Sequence, residues 1–187
     1  MMALKMENVR NRFPPHFVFN VLNIFVSNLP KEVDAKPLHL LIRILRSYLL
    51  TCDKMAVSLE EELQMVMGYS SLRHETNPFL PKPRFHIAKD VDMKLMLPSM
   101  IIRIPVENAL KHAFAGRDSG SVRVVFARGV EHHTVSVSDD GIGFNPEHAN
   151  GFGLQIVQAT VAQKLHGCVS IVPLACGTTV TFDCKAE

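Results

Sequence analysis

The sequence lacks a long apolar run and a secretory leader. A helix that spans a membrane needs roughly 18 consecutive apolar residues, and the longest candidate here, residues 39–50, is interrupted by Arg43 and Arg46. The start of the chain mixes basic and acidic side chains and has no apolar stretch of the signal-peptide kind. We therefore expect a cytoplasmic segment, and any attachment of a longer protein to the cell membrane would come from segments outside this chain.

An excess of one charge and closely spaced cysteine pairs are also missing. The net charge is +2 over 187 residues, so we expect no broad basic surface and no direct binding of nucleic acid. The four cysteines form no CxxC pair and no Cys/His cluster with the spacing of zinc ligands. We expect reduced cysteines that pack within the protein: Cys52, Cys168, Cys176 and Cys184.

The chain divides near the prolines at 78–83, and residues 1–80 are expected to form a helical region. A first helix is predicted over 4–29, interrupted at Pro14-Pro15. A second helical stretch starts at Pro37, restarts at a capping-box pattern in 58–61 and ends at about Thr76. The apolar residues of this region cover too wide an arc for a lone helical hairpin. We therefore expect a homodimer, in which a second copy of the chain covers them.

Residues 81–187 alternate between strand patterns and helix patterns. Two hairpins are predicted, one with its turn at Gly129 and one with its turn at residues 175–177. Strands are predicted over 84–88, 121–128, 134–138, 168–173 and 178–184, and helices over 98–114 and 153–165. The predicted fold class is α+β: a helical hairpin followed by a sandwich with helices on one face of an antiparallel-rich sheet.

The segment Glu107-Asn108-Ala109-Leu110-Lys111-His112 carries the first polar group. At about 100° per residue, its four polar side chains share an arc of about 140° on one face of a helix. The amide oxygen of Asn108 suits Mg²⁺, which prefers oxygen ligands, and Lys111 suits phosphate as a point charge. Taken alone, an ordinary amphipathic helix with a solvated face explains the pattern equally well.

Two glycine-rich segments follow. Asp139, Gly141 and Gly143 stand at the end of a predicted strand, where glycines let a ligand approach the backbone and a carboxylate can accept a hydrogen bond. Gly151, Gly153 and Leu154 open a predicted helix, whose first N–H groups can bind phosphate. A strand-ending turn and a helix that starts after glycine are the simpler interpretations of each segment by itself.

The order and spacing of the three segments are more specific than any one of them. They resemble the asparagine box and the two glycine boxes of the ATP-binding fold that histidine kinases share with gyrase and MutL. Gly177-Thr178-Thr179 is similar to the closing Gly-Thr element of that fold. The resemblance covers roughly residues 83–184 and implies an ATP-binding sandwich over 81–187 that uses ATP and Mg²⁺.

A second resemblance is narrower. Pro15-His16-Phe17-Val18-Phe19-Asn20 looks like the Asn-Pro-His-Phe-Leu-Phe-Asn segment of the LytS-type sensor kinases, and residues 106–112 look like their Val-Glu-Asn-Ala-Ile-Lys-His. This resemblance implies that His16 is the phosphoacceptor and that Glu107 is an acid–base or polarising residue. It also implies that Asn108 binds magnesium, that Asp139 binds adenine, and that Lys111 and His112 lie near the phosphates.

The resemblance therefore implies the dimeric core of a two-component histidine kinase, with a response regulator as its partner. The γ-phosphoryl group of ATP would pass to His16 and then to an aspartate of the regulator. Two alternatives remain: an ATP-binding dimeric regulator without catalysis, and a kinase or ATPase of the same fold that acts on a partner protein. Asp140 departs from the family, which commonly has Asn there.

Overall fold

A computed structural model describes residues 15–30, 32–51, 54–129, 132–143 and 152–185. The chain forms two compact units, residues 1–53 and residues 54–187. The first unit contains two helices, α1 (Pro15–Ser27) and α2 (Lys36–Thr51). Pro15 is the first residue of α1, a position where the missing N–H costs nothing. Residues 4–14 of the first predicted helix lie outside the described residues.

The two helices of the first unit pack through a small apolar core. Phe19 and Val26 of α1 are buried with Ile42 of α2, and the guanidinium carbon of Arg46 lies 5.3 Å from the centroid of the Phe19 ring. Apolar positions three and four residues apart produce this face, as expected for an amphipathic helix. The helices therefore form a hairpin around a single buried stripe.

The second unit begins with a short strand and a long helix, β1 (Ala56–Ser58) and α3 (Leu59–Thr76). The predicted capping box is confirmed. The Glu61 backbone N–H donates to the Ser58 hydroxyl at 3.1 Å, and the Ser58 N–H donates to the Glu61 carboxylate at 3.0 Å. The hydrogen bond from Lys54, followed by the bond from Ser58, lowers the pKa of Glu61. These contacts define where the helix starts.

A five-stranded sheet forms the centre of the second unit. Its strands are β2 (Arg84–Ile87), β4 (Val122–Arg128), β5 (His132–Asp139), β6 (Val169–Pro173) and β7 (Thr178–Lys185). They lie in the order β2-β4-β5-β7-β6, and only the β2–β4 pair is parallel. Both predicted hairpins and the α+β class are confirmed, although residues 130–131 between β4 and β5 lie outside the described residues. Alternating buried residues on the central strands, such as Val124, Val137 and Phe182, face the helices.

Two further helices lie between strands of the second unit, and each continues into a wider π-helical turn. Helix α4 (Arg103–Asn108) continues as the π-helical turn Ala109–Ala113, and α5 (Phe152–Thr160) continues as Val161–Leu165. None of the helices in the described ranges has the length and apolar character to cross a membrane.

The predicted start of a helix at residue 98 was wrong. Met96–Pro98 instead form strand β3, which pairs antiparallel with β1 through Ala56 opposite Pro98. Met100 then has a φ of 71°, in the left-handed region that a right-handed helix cannot include. The helix therefore begins only at Arg103.

The three cysteines in the described part of the chain are free, but they are not all buried. Cys184 is buried on β7, and this burial raises the pKa of its thiol to about 11. Cys168 and Cys176 are exposed, because the first precedes the edge strand β6 and the second lies in the loop between β6 and β7. Cys52 lies outside the described residues.

The chain divides into its two compact units between residues 53 and 54, whereas the composition of the sequence predicts a division between 80 and 81. The difference arises because α3 contributes Leu59, Leu63 and Val66 to the same buried core as the sheet. A helix whose apolar stripe completes a core belongs to that core, whatever the composition of the segment that follows it.

Truncation tests this boundary. We expect residues 54–187 to unfold in one cooperative transition and residues 83–187 to fail to do so. Each buried aliphatic side chain of α3 contributes roughly 1.5–3 kcal/mol, and a domain has only about 5–15 kcal/mol in total. Circular dichroism melting curves of both fragments are the measurement. Equal melting temperatures for the two would show that α3 is dispensable.

Candidate functional site

The carboxylate of Asp139 lies at the end of β5, held by two neighbouring loops. Its Oδ1 accepts a hydrogen bond from the Gly141 N–H at 3.0 Å, and the Thr178 backbone N–H also donates to it. A Cβ on Gly177 would overlap the carbonyl oxygen of Asp139, so only glycine permits this approach. Burial, and to a smaller extent the charge of Asp140, raise the pKa of Asp139 despite both hydrogen bonds. Thr178 itself is buried.

The turn after Asp139 packs against the end of the α4 segment, which comprises helix α4 and the π-helical turn that continues it, residues 103–113. A Cβ on Gly141 would overlap the carbonyl oxygen of Ala113, and the Ile142 N–H donates to that same oxygen at 2.9 Å. Gly143 has a φ of 86°, which favours glycine, and its backbone lies near the carbonyl oxygens of Gly177 and Leu174. The first glycine box therefore joins the π-helical turn on one side and the β6–β7 loop on the other.

The start of α5 faces Asn108. A Cβ built on Gly153 would lie 3.5 Å from Nδ2 and 3.6 Å from Oδ1 of Asn108, so the start of α5 lies close to the Asn108 amide. Leu154, the next residue, is partly buried. The structure therefore brings the asparagine box and the second glycine box together. Gly151 and residues 144–150 lie outside the described residues.

The four polar residues of the α4 segment divide into two pairs. Glu107 and Asn108 are half-buried, whereas Lys111 and His112 are exposed. The rotation of 100° per residue assumed for this segment ends at Asn108, because the π-helical turn that starts at Ala109 is wider. Glu107 accepts from Lys111 through Oε1 at 2.5 Å, and its Oε2 lies 3.7 Å from Nε of Arg103. Glu107 thus contacts two cationic side chains.

Asp140 belongs to a separate cluster. Its carboxylate accepts from the backbone N–H of Ser121 at 2.7 Å and from the Ser121 hydroxyl at 2.8 Å, and Arg117 donates to its carbonyl oxygen at 2.6 Å. Burial acts to raise the pKa of Asp140, but the Ser121 bonds and the Arg117 charge outweigh it, and the pKa is lowered. The Asp140 carboxylate therefore joins the turn after β5 to Ser121, just before β4.

The described residues offer oxygen atoms but no metal cluster of side chains. Among them, no group of three or more His, Cys, Asp or Glu side chains is arranged to hold a metal ion. A site that depends on one amide oxygen, with the other ligands from phosphate and water, fits Mg²⁺ better than metals that need an all-protein cage. Asn108 has this character.

Sequence reasoning missed Glu62, which lies at the start of the α4 segment. Its buried carboxylate accepts from the backbone N–H groups of Met100, Ile102 and Arg103 at 2.9, 3.0 and 3.1 Å. One signal was available: Glu62 lies within the buried stripe of Leu59, Leu63 and Val66, where an acidic residue needs partners.

Two family models match the chain. The model described as "Histidine kinase-, DNA gyrase B-, and HSP90-like ATPase" matches residues 96–187, and the model described as "Histidine kinase" matches residues 4–76. Together they leave only short parts of the chain unmatched.

The curated relatives that the chain resembles are named LytS. "Sensor protein LytS" of Staphylococcus saprophyticus is 33% identical over 156 residues, which is 80% of this chain and 26% of that protein. "Sensor histidine kinase/phosphatase LytS" of Staphylococcus aureus is 29% identical over 163 residues, 83% of this chain and 27% of that protein. The chain thus spans about a quarter of the length of these relatives.

Solved structures share the fold at low sequence identity. The histidine kinase domain of the blue-light activated kinase of Erythrobacter litoralis has a TM-score of 0.53 at 18% identity and covers 89% of this chain and 82% of that one. The histidine kinase AdeS of Acinetobacter baumannii has a TM-score of 0.54 at 13% identity and covers 94% of this chain and 97% of that one. A third is the histidine kinase ThkA "in complex with response regulator protein TrrA", with a TM-score of 0.50 at 14% identity, covering 100% of this chain and 61% of that one.

Proposed function

Because the chain belongs to the LytS-type histidine kinases, we propose that it is the catalytic core of a two-component sensor kinase. It transfers the γ-phosphoryl group of ATP to His16, and the phosphoryl group then passes to an aspartate of a response regulator. The observation that carries this proposal is the Asp139 carboxylate, held by the Gly141 and Thr178 N–H groups beside glycines that permit close approach.

Asp139 accepts a hydrogen bond from the exocyclic amine of adenine. The raised pKa of its carboxyl reflects burial, which also strengthens a hydrogen bond to a ligand by excluding water. Gly141 and Gly143 border this position on the turn after β5, and Thr178 borders it at the start of β7. Gly153 and Leu154 lie at the start of α5, which is proposed to bind the phosphates together with Gly151. Backbone N–H groups at a helix start bind phosphate oxygens.

Asn108 is the proposed magnesium ligand, because its amide lies beside Gly153 at the start of α5, where the phosphates are proposed to bind. When bound, Mg²⁺ neutralises charge on the phosphates. Lys111 and His112 lie exposed on the same segment and contact the phosphates. Glu107 is the acid–base or polarising residue for the attack by the imidazole. Such transfer depends mostly on positioning and charge neutralisation.

His16 is the proposed phosphoacceptor. Its backbone lies in the first turn of α1, and its side chain lies outside the part of the chain that the structure describes. Asn20, Asn23 and Ser27 follow it at helical spacing and are exposed. A neutral imidazole has a ring nitrogen with a free lone pair and can therefore act as the nucleophile. A response regulator, the kind of protein with which ThkA forms its complex, is the proposed acceptor of the next step.

We propose that the chain dimerises through its first unit. Val21, Ile24 and Phe25 of α1 are 48%, 61% and 58% exposed, a large apolar surface for a two-helix hairpin. Two hairpins that bury these residues against each other form a four-helix bundle.

Light scattering tests the dimer. We expect a dimer for the whole chain at micromolar concentration and a monomer for residues 54–187, because the exposed apolar face belongs to the first unit. Ile24→Glu should also give a monomer, since it places a charge in the buried seam, whereas His39→Gln on the exposed face of α2 should not. A monomeric whole chain at that concentration would contradict the bundle.

Labelling with γ-labelled ATP separates the proposal from its alternatives. Label on this chain supports the histidine kinase. Label on an added partner protein alone supports a kinase of the same fold with an external substrate. Nucleotide binding without any label supports a non-catalytic regulator. Titration calorimetry with ATP measures the binding in all three cases.

A further inference from the structure

Arg103, the first residue of α4, connects helix α3 to Glu107. Its guanidinium carbon lies 5.3 Å from the centroid of the Tyr69 ring, and its Nε lies 3.7 Å from Oε2 of Glu107. Its backbone N–H donates to the Glu62 carboxylate. Glu62 and Tyr69 are both on α3, two helical turns apart and therefore on the same face.

The backbone of Arg103 is firmly held. The Glu62 carboxylate receives three N–H groups from the turn that precedes α4, and one of these belongs to Met100, whose φ is 71°. Burial raises the pKa of Glu62, although the three hydrogen bonds act in the opposite direction. A carboxylate placed at the start of a helix also interacts favourably with its dipole. Helix α3 therefore fixes the position of the start of α4 through the Glu62 carboxylate.

The side chain of Arg103 is more deeply buried than that of Lys111. Arg103 and Glu107 side chains are 15% and 22% exposed, while Lys111 is 47% exposed. Lys111 is assigned to the phosphates of ATP, so its contact with Glu107 is lost when it turns to them. Arg103 is the cation that stays beside the carboxylate, and its guanidinium lies within cation–π distance of the Tyr69 ring.

We propose that Arg103 and Tyr69 are positioning residues that orient the Glu107 carboxylate, so that helix α3 sets the geometry of phosphoryl transfer. The inference rests on the proposed function, since Glu107 acts in transfer only if the chain is a kinase. The link from α3 to Glu107 runs through the Tyr69 ring and the Arg103 guanidinium, and it does not involve the Tyr69 hydroxyl.

Self-phosphorylation kinetics test the consequence. Tyr69→Leu and Arg103→Met should each lower the rate constant at saturating ATP by about tenfold, because misplaced groups lose much of their effect. The ATP concentration for half-saturation should stay within about twofold, since neither residue contacts the nucleotide. Rates are expressed per ATP-binding site, measured by calorimetry, so that a loss of folded protein does not enter.

Two conservative variants make the test specific. Tyr69→Phe retains the ring and should retain the wild-type rate, and Met67→Leu, at an exposed position of the same helix, should do the same. The double variant Tyr69→Leu/Arg103→Met should be no slower than either single variant, because both remove one link. A wild-type rate for Tyr69→Leu, or equal losses in rate and in ATP affinity, would overturn the proposal.

A second measurement does not depend on kinase activity. In ¹⁵N-labelled protein, the Nε–H resonance of Arg103, identified by its absence in Arg103→Lys, should shift in Glu107→Gln. It should broaden or move in Tyr69→Leu and stay unchanged in Tyr69→Phe. An Arg103 resonance that is unchanged in both Glu107→Gln and Tyr69→Leu refutes the proposed link between Tyr69, Arg103 and Glu107. A wild-type chain that takes up no label refutes the proposed function instead, and the resonance still decides whether Arg103 orients Glu107.

Discussion

Asp139→Asn is expected to reduce ATP affinity by about a hundredfold or more, which corresponds to roughly 3 kcal/mol. The carboxylate accepts from the Gly141 and Thr178 N–H groups, and the proposed adenine amine is a third donor. Asparagine has one acceptor oxygen, and its NH₂ group would face one of these donors in either orientation. Titration calorimetry with Mg-ATP measures the loss.

The same substitution should not destabilise the fold. The pKa of Asp139 is raised in the folded protein, so its contribution to stability is present below the ordinary value of 3.8 and is lost as pH rises through the raised value. At pH 7 the ionised carboxylate is therefore a net cost to folding, and neutral asparagine removes it. We expect an unchanged or higher melting temperature at pH 7.

Asp140→Asn is the matched control. The Asp140 carboxylate accepts both of its hydrogen bonds from Ser121 and takes no part in the proposed contact with adenine, so this variant should bind ATP with nearly wild-type affinity. Unchanged ATP affinity in Asp139→Asn would refute the adenine assignment.

Asn108→Ala should weaken ATP binding mainly when Mg²⁺ is present.

His16→Gln is expected to abolish phosphorylation of the chain. Incubation of the wild type with Mg-ATP should produce a phosphate that acid removes and alkali does not, as expected for a phosphorylated imidazole nitrogen. Glutamine has no nucleophilic ring nitrogen, so the label should disappear while ATP affinity, measured by calorimetry, stays the same. Acid and alkali treatment of the labelled protein identifies the bond.

His39→Gln provides the control for this result. His39 is an exposed histidine on α2 of the same unit, and its replacement should leave the label intact. Full labelling of His16→Gln would mean that another residue accepts the phosphate and that the assignment of residues 15–20 is wrong. Nucleotide binding without label in either protein would favour the non-catalytic regulator.

Local patterns alone determined much of the fold. The capping box at Ser58 and Glu61 joins residues three apart, and the alternation of Val122, Val124 and Phe126 follows from the pleat of a strand. The glycine positions were informative because their role is a property of the backbone. Gly141 and Gly177 leave room that any side chain would fill.

The start of α4 and the boundary of the second unit depended on tertiary contacts. Pro98 pairs in β3 with a strand about forty residues earlier, and α3 completes the core of the sheet that follows it. Periodicity within one segment contains no information about the partner that its apolar stripe will meet. The helix pattern over 98–102 was therefore misleading, and the packing of α3 against the sheet could not be read from its own periodicity.

The residues of the proposed site came from the sequence, because an asparagine box, two glycine boxes and a Pro-His-Phe segment are short and specific. The residues that hold the proposed site in place could be identified only from the folded structure. Glu62 accepts hydrogen bonds from residues 38 to 41 positions further along the chain, and Arg103 meets Tyr69 across two helices. Such contacts depend on how α3 packs against α4, and that packing is decided by the volume and shape of the whole core.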